Sequence, residues 1–364
     1  MKNKLLSYYD LLNLREILQK CKIIMNKSVI MIVSKYHGVG GVDTVINNLC
    51  LGLQKLGYET SIGAFEFFKN PPRNINKVKL SRFKTFSTDI IKKIGVIHIH
   101  ETKLLYNTIF QNIKQPIIFH YHGANGKIQE YNLKAAMKIS KKKISGIIAV
   151  SNSGKTDLEK IANADSIQVI HNGVDVNFFR NDIKKEILKD APQFLFVGNL
   201  YPTKNVGNII KGMPIILKEF PNAHLKIVGN GKEFNKVKQK IKELNLQKHI
   251  EMLGRVSMEK LRTCHSSCDI YISASSFEVY PVPPLEAMSC GKPLLLSDIE
   301  PHREMIEFSK AGLIFSSFNS DIINQIQEIL ENYVKFGENG RSYVEKNDWI
   351  KMSEKVISMY KKFY

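Results

Sequence analysis

Residues 28–57 read SVIMIVSKYHGVGGVDTVINNLCLGLQKLG. The opening SVIMIVS (28–34) is apolar, rich in β-branched residues and too short for a buried helix, so it reads as a strand covered on both faces. HGVGGVDTV (37–45) follows as a glycine-rich turn. From Val42 to Leu56 apolar residues then recur at helical spacing until Gly57, a residue that commonly ends helices. Strand, turn and helix in that order form one parallel βα unit.

The unit repeats. GVIHIH (95–100), PIIFHYHG (116–123) and GIIAVS (146–151) are strand-like runs separated by helical patterns. A second series follows the polar segment Asn181–Asp190: QFLFVGN (193–199), AHLKIVGNG (223–231), HIEMLGRV (249–256), DIYISAS (269–275), KPLLLSD (292–298) and AGLIFS (311–316). A chain of 364 residues exceeds what one core usually organises. The expected architecture is α/β: two tandem Rossmann-like, doubly wound parallel-sheet domains facing a cleft. They would span 28–180 and 191–345, with a linker near 175–191, a C-terminal helix over 346–364 that returns to the first domain, and an N-terminal extension over 1–27. Ligands in such sheets bind beyond the carboxyl ends of the strands, which places the site in the cleft.

Composition bounds the function. A hydrophobic share of 43%, a charged share of 24%, 22 Gly and 12 Pro exclude disordered, collagenous and low-complexity chains. The net charge of +19 suggests an anionic partner. It is concentrated: residues 1–180 hold 27 basic and 12 acidic side chains, the remainder 26 and 22. The split comes from fewer acidic side chains in the first half, and it favours a basic surface on the first domain. Cys21, Cys50, Cys264, Cys268 and Cys290 show no paired CxxC spacing, and a reduced, cytoplasmic protein is expected. No apolar run reaches 18 residues. In the first 27 residues Leu5, Tyr8, Tyr9 and Leu12, then Leu14, Leu18, Cys21 and Ile24, recur at helical spacings among Lys2, Lys4, Arg15, Lys20, Lys22 and Lys27, while Asp10, Asn13, Arg15 and Glu16 exclude a signal peptide. A basic amphipathic helix on an anionic membrane, a segment upstream of a start at Met25, and packing on the protein itself all fit.

Three constellations carry chemistry. Backbone N–H groups of the turn around Gly40 and Gly41, at a helix start, suit an anion. A G-x-G-x-x-G dinucleotide fingerprint is excluded, because Asp43 stands where its third glycine would be. In FVGNLYPTKN (196–205) Lys204 sits near a helix start, where its charge adds to the helix dipole against a diphosphate. In SSFEVYPVPPLEAMSCGKPLLLSD (275–298) Glu278 and Glu286 stand eight apart around a proline-rich loop; carboxylates accept from vicinal hydroxyls of sugars. His98, His100, His120 and His122 alternate on two strands as metal ligands do, but no nearby carboxylate pair completes a site, and packing is expected for His120. His171 reads as a loop residue.

These strings, with VSNSGK (150–155), VIHNGVDVNFF (169–179), LKIVGNGKE (225–233), LGRV (253–256) and a final helical stretch from Trp349, resemble the retaining, nucleotide-sugar-dependent glycosyltransferases of the GT-B fold, the group-1 (family 4) enzymes with an E-x7-E motif. The likeness runs from Ile30 to Tyr360. It implies transfer of a hexose-type sugar from a UDP- or GDP-sugar to a glycan or lipid-linked acceptor, with retention of configuration and without metal or other cofactor. Glu278 would hold donor-sugar hydroxyls and Glu286 the ribose. Lys204 would neutralise the departing diphosphate beside the Gly40–Gly41 turn, and His122 would lie beside the sugar and the acceptor hydroxyl. Arg255 and Val256 would border the base, and Tyr280 and Val282 the phosphates and sugar. The departing phosphate would act as base, so no nucleophilic carboxylate is needed.

Two departures stand out. Asn199 occupies a position where the family commonly has arginine, and Glu278-Val279-Tyr280-Pro281-Val282-Pro283 replaces E-G-F-G-L-P, so position 281 lacks a backbone donor. A nucleotide-sugar epimerase-like enzyme on the same scaffold is the alternative. A nucleic-acid binder has only the charge in its favour, since no aromatic-basic strip or recognition helix accompanies it. The basic clusters near 69–93 and 134–143 instead suggest an anionic membrane surface or lipid carrier.

Overall fold

A computed structural model describes residues 27–82, 85–86, 89–109, 111–162, 167–181 and 190–363. The amphipathic reading of residues 1–26 and most of the polar segment before 190 therefore lie outside the described residues. The first half contains β1 (Ser28–Tyr36), α1 (Gly41–Lys55), β2 (Glu59–Phe67), β3 (Asn76–Lys79), α2 (Asp89–Lys93), β4 (Val96–Ile99), β5 (Ile117–Tyr121), α3 (Lys127–Ser140), β6 (Gly146–Ala149), α4 (Asn152–Ala162) and β7 (Ile167–Val169). Its seven strands form one parallel sheet in the order β3-β2-β1-β4-β5-β6-β7.

The second half contains β8 (Gln193–Val197), α5 (Val206–Glu219), β9 (His224–Val228), α6 (Phe234–Glu243), β10 (Ile250–Gly254), α7 (Met258–Ser267), β11 (Ile270–Ser273), α8 (Val282–Ser289), β12 (Leu294–Ser297), α9 (Glu300–Ser309), β13 (Gly312–Phe315), α10 (Asp321–Glu331), α11 (Tyr333–Glu345) and α12 (Trp349–Tyr360). Its six parallel strands run β10-β9-β8-β11-β12-β13. In both sheets the strand order reverses beside the first strand, and the two sheets form the Rossmann-like pair that the alternating pattern predicts.

Alternation along β1 shows how the first sheet is covered. Val29, Met31 and Val33 enter one buried cluster with α1 and α12, while Ile30 and Ile32 enter another with Ile97, Ile117 and Met137. The C-terminal helix α12 does return to the first domain: Trp349, Met352, Val356 and Tyr360 join the α1 side of that core. Gly52 of α1 permits the approach, since a Cβ there would stand 2.2 Å from Ser353 Oγ and 3.1 Å from the Trp349 carbonyl oxygen.

All ten apolar runs become strands. The runs do not pick out β2, β3 and β7. β3 buries only Val78, β7 is half-buried throughout and β2 ends in half-exposed residues, so none presents a continuous apolar string.

Candidate active site

Glu278 lies in the loop after β11. Ser275 Oγ donates to its Oε1 at 2.8 Å, and Ser273 and Ser275 share a hydrogen bond at 3.1 Å. Lys204 Nζ meets the same carboxylate oxygen at 2.5 Å, with the two side chains 24% and 11% exposed. Lys204 ends a 3-10 turn, Pro202–Lys204, directly before α5. Ser276 N–H donates to the Thr203 carbonyl at 2.8 Å and clamps the two loops together. The pair is therefore a half-buried cation and anion at the carboxyl edge of β8 and β11, where the second sheet reverses its order.

The loops beneath the pair pass backbone to backbone because they carry glycines. Gly229 has φ +133° and a Cβ there would stand 1.9 Å from the Gly198 carbonyl oxygen; one at Gly231 would stand 2.5 Å from that of Leu200. Asn199 sits in this turn, partly buried, with its carbonyl accepting from Tyr201 N–H at 2.8 Å. Arg255, exposed after β10, makes no ion pair among the described residues. Its neighbour Val256 packs against the cluster that holds Leu195, Val228, Cys264 and Cys268. Those cysteines, with Cys50 and Cys290, are free and buried.

Glu286 is 7% exposed in α8, and its Oε2 lies 3.1 Å from Nε2 of the fully buried His265. The carboxylate also lines a cavity with Thr44, Phe178, Met258, Val282 and Trp349. His265 is a residue that sequence reasoning missed: between two cysteines it reads as core or as a stray metal motif, and its partner is 21 positions away. His302 was missed likewise. Its Nδ1 lies 3.0 Å from the Ser297 carbonyl oxygen, and burial holds its pKa below the ordinary range although Glu278 opposes this.

Few amides are available where α8 begins. Pro281, Pro283 and Pro284 carry no N–H, so only Val282 and Leu285 bring donors to positions 281–285. The turn before α1 is also partly engaged. Asp43 Oδ2 accepts from His37 N–H at 2.7 Å and Gly38 N–H at 2.8 Å, closing the loop from within. At Gly40 and Gly41 a Cβ would meet nothing within 4 Å, so this backbone faces open space.

The first domain reaches the pair through the loop after β5. Gly123, next to His122, has φ +101°, and a Cβ there would stand 2.3 Å from Val279 Cγ2 and 3.3 Å from Phe277 Cζ, the residues flanking Glu278. Val279 also packs toward Gly154. Thus the structure brings His122, Lys204 and Glu278 to facing edges of the two sheets. His122 Nε2 lies 2.9 Å from His100 Nδ1, and His98, His100 and His120 continue inward as a stack with ring centroids 4.6–5.2 Å apart. Their ring nitrogens fall within 4.8 Å of one another, the one group among the described residues with the composition to hold a metal ion. His98 stacks on His100 at 19° and on His120 at 21°, while His100 and His120 are tilted by 33°.

One expectation needs correction. Tyr280 does not turn its ring to the sugar site: it is 3% exposed, stacks on His171 at 4.4 Å and 5°, and shares a hydrogen bond with Tyr343 at 2.5 Å. A large apolar ring with its hydroxyl already paired gains more from that junction than from the open cleft. His171 is the loop residue expected, and it also ties this junction to the other half. Its Nε2 lies 2.8 Å from Glu304, whose carboxylate also accepts from Asn152 N–H at 2.9 and 3.0 Å, at the start of α4 in the other domain.

Comparison with known proteins follows the same division. The model described as glycosyl transferases group 1 matches residues 178–347, and that described as glycosyltransferase family 4 matches residues 39–178. An uncharacterized glycosyltransferase of Methanocaldococcus jannaschii is 26% identical, covering 89% of this chain and 94% of its own. The phosphatidyl-myo-inositol mannosyltransferase of Mycolicibacterium smegmatis is 25% identical, covering 88% and 90%. Among solved structures, Anabaena HepE in complex with UDP-glucose superposes with a TM-score of 0.76 at 17% identity over 92% of this chain and 99% of that one.

Proposed function

We propose that this chain, a two-sheet protein matched by the group 1 model over 178–347 and by the family 4 model over 39–178, is a glycosyltransferase that moves a hexose from a UDP- or GDP-sugar to a glycan or lipid-linked acceptor, retaining anomeric configuration and without a metal. The observation that carries this reading is the Lys204–Glu278 pair at 2.5 Å, aimed from β8 and β11 at the His122 loop of the facing sheet.

An arriving diphosphate competes with Glu278 for the Lys204 ammonium. Lys204 then neutralises the negative charge that grows on the leaving group, as a preorganised cation in a partly dry site. The released Glu278 carboxylate, still held by Ser275, accepts from sugar hydroxyls. Glu286, oriented by His265, accepts from the ribose diol. The amides of Gly40, Gly41 and Val282 and the exposed Arg255 add positive potential toward phosphate and base, and compensate for Asn199 and Pro281. UDP-glucose on HepE supports a UDP-sugar donor, and the phosphatidyl-myo-inositol mannosyltransferase supports a transferred hexose and a lipid acceptor.

The acceptor-side domain fits an anionic surface. Helix α3 exposes Ile128 (80%) and Tyr131 (73%) beside Lys127, Lys134 and Lys138, and Lys141–Lys143 follow. An apolar and aromatic strip bordered by lysines suits the headgroup region of an anionic bilayer. No helix among the described residues is long and apolar enough to cross a membrane.

The test is a panel of UDP- and GDP-sugars, scored by release of nucleoside diphosphate, with and without EDTA. Turnover of at least one donor that persists in EDTA, and is lost in Glu278→Ala and Lys204→Ala, is expected. If every donor stays intact while both variants keep wild-type donor affinity, the catalytic reading is wrong.

A further inference from the structure

His100 and His122 follow neighbouring strands, β4 and β5, on the same face of the first sheet. Nδ1 of His100 lies 2.9 Å from Nε2 of His122, and Nε2 of His100 lies 3.3 Å from Sδ of Met31 in β1. A thioether sulfur has no hydrogen to give, so it accepts, and His100 carries its proton on Nε2. Nδ1 of His100 is then a bare acceptor. His122 must donate to it from Nε2–H, which in a neutral imidazole leaves Nδ1 as a lone pair. The opposite arrangement would press the His100 lone pair against sulfur lone pairs at 3.3 Å. Both rings are neutral at ordinary pH: burial holds His122 down to about 4 and His100 well below its usual range. Nδ1 of His122 has no partner among the described residues, and the residue is partly exposed where its loop meets Val279.

We propose that His100, anchored by Met31, is a positioning residue that fixes His122 as the Nε2–H tautomer, so that its Nδ1 is an obligate hydrogen-bond acceptor for a substrate hydroxyl. This rests on the reading of His122 as the residue beside the reacting sugar. It adds a direction: His122 selects a group that donates and rejects one that only accepts. The neighbouring His120, fully buried with neither ring nitrogen paired among the described residues, offers His122 only a stacked face at 4.5 Å. The hydrogen-bonding control therefore runs through His100.

The test reads the tautomer directly. In protein labelled with ¹⁵N-histidine, long-range ¹H–¹⁵N correlations assigned with His122→Ala should show the proton of His122 on Nε2. His100→Asn, whose Oδ1 replaces Nδ1 as acceptor, should preserve that pattern, and His100→Phe should give a mixture. With UDP-glucose and GDP-mannose as donors, nucleoside diphosphate release by His100→Phe should lose about 10- to 100-fold in kcat, the scale of a hydrogen-bonding group left unpaired, with donor KM little changed. His100→Asn should stay close to wild type. A proton on Nδ1 of wild-type His122 overturns the proposal. So does a His100→Phe protein that melts as wild type and keeps its kcat, or a His100→Asn variant as impaired as His100→Phe. If His100→Phe fails to fold, the wild-type spectrum and His100→Asn decide. Turnover that survives in His122→Ala refutes the role of His122 while leaving the tautomer result intact.

Discussion

Lys204 and Glu278 neutralise each other at 2.5 Å, and on the proposed function each has a second task when a donor binds. Removing either should therefore do more than weaken binding. Lys204→Ala should lower kcat/KM for the donor by about 10²- to 10³-fold, mostly in kcat, because the lost charge acts on the leaving group as it departs. His265 makes a contrasting prediction. His265→Leu leaves Glu286 without its partner at 3.1 Å and should raise donor KM about tenfold with little change in kcat, the pattern of lost uniform binding. Steady-state kinetics of the two variants separate the roles. Lys204, Glu278 and Glu286 enter the proposed site through the likeness of their strings to the family, since a lone lysine or two glutamates eight apart would mean little. His265 could not be named from the chain, because a histidine's partner 21 positions away is set by how α7 packs against α8.

At the scale of elements, the donor-side loops depend on close backbone approach. Gly229→Ala must place a Cβ at 1.9 Å from a carbonyl oxygen and in a φ that side chains rarely adopt. Something has to move, and a loss of more than about 3 kcal/mol in unfolding free energy is expected by urea titration, as is typical of strain at a special backbone position. The helix α3 tests a different property. Replacing Ile128 and Tyr131 by Ser should leave the melting temperature within a few degrees, since both are mostly exposed, and should reduce sedimentation with anionic vesicles. Equal binding to neutral vesicles at high salt would remove the electrostatic explanation. The strand runs were legible because burial on both faces writes a continuous apolar string; β3 and β7, at sheet edges, carry no such string.

At the scale of the molecule, two buried charge systems set the response to acid. Glu304 joins the halves, and hydrogen bonds from His171 and from Asn152 outweigh burial to hold its pKa below the usual carboxylate range. A carboxylate depressed in the folded state stabilises above its unfolded pKa and loses that contribution as pH falls through the folded value. Glu304→Gln should therefore melt lower at neutral pH and converge with wild type in acid. The histidine stack works in a different window. His98 is held down to about 3, His122 to about 4, and His100 and His120 well below 6.5, chiefly by desolvation. As pH falls below about 6.5 the unfolded chain takes up protons that the folded chain refuses, so each histidine costs about 1.4 kcal/mol per pH unit until its folded pKa is reached. Denaturation midpoints measured from pH 7 to 5 should drop steeply, and His120→Leu should lessen the slope by one proton.

The amino-acid sequence by itself determined two parallel α/β units, the strands covered on both faces, the glycine turns and the order of the motifs. These follow from burial and periodicity within a few residues of chain. Only the tertiary structure decided that Tyr280 turns to His171, that Asp43 closes the turn before α1, that Glu304 caps a helix in the other half, and that His100 stands behind His122. Each of the last two joins residues far apart in the chain, and a hydrogen bond between distant side chains leaves no periodic trace. Its partners are selected when sheets and helices pack and every buried polar group must find the donor or acceptor within reach.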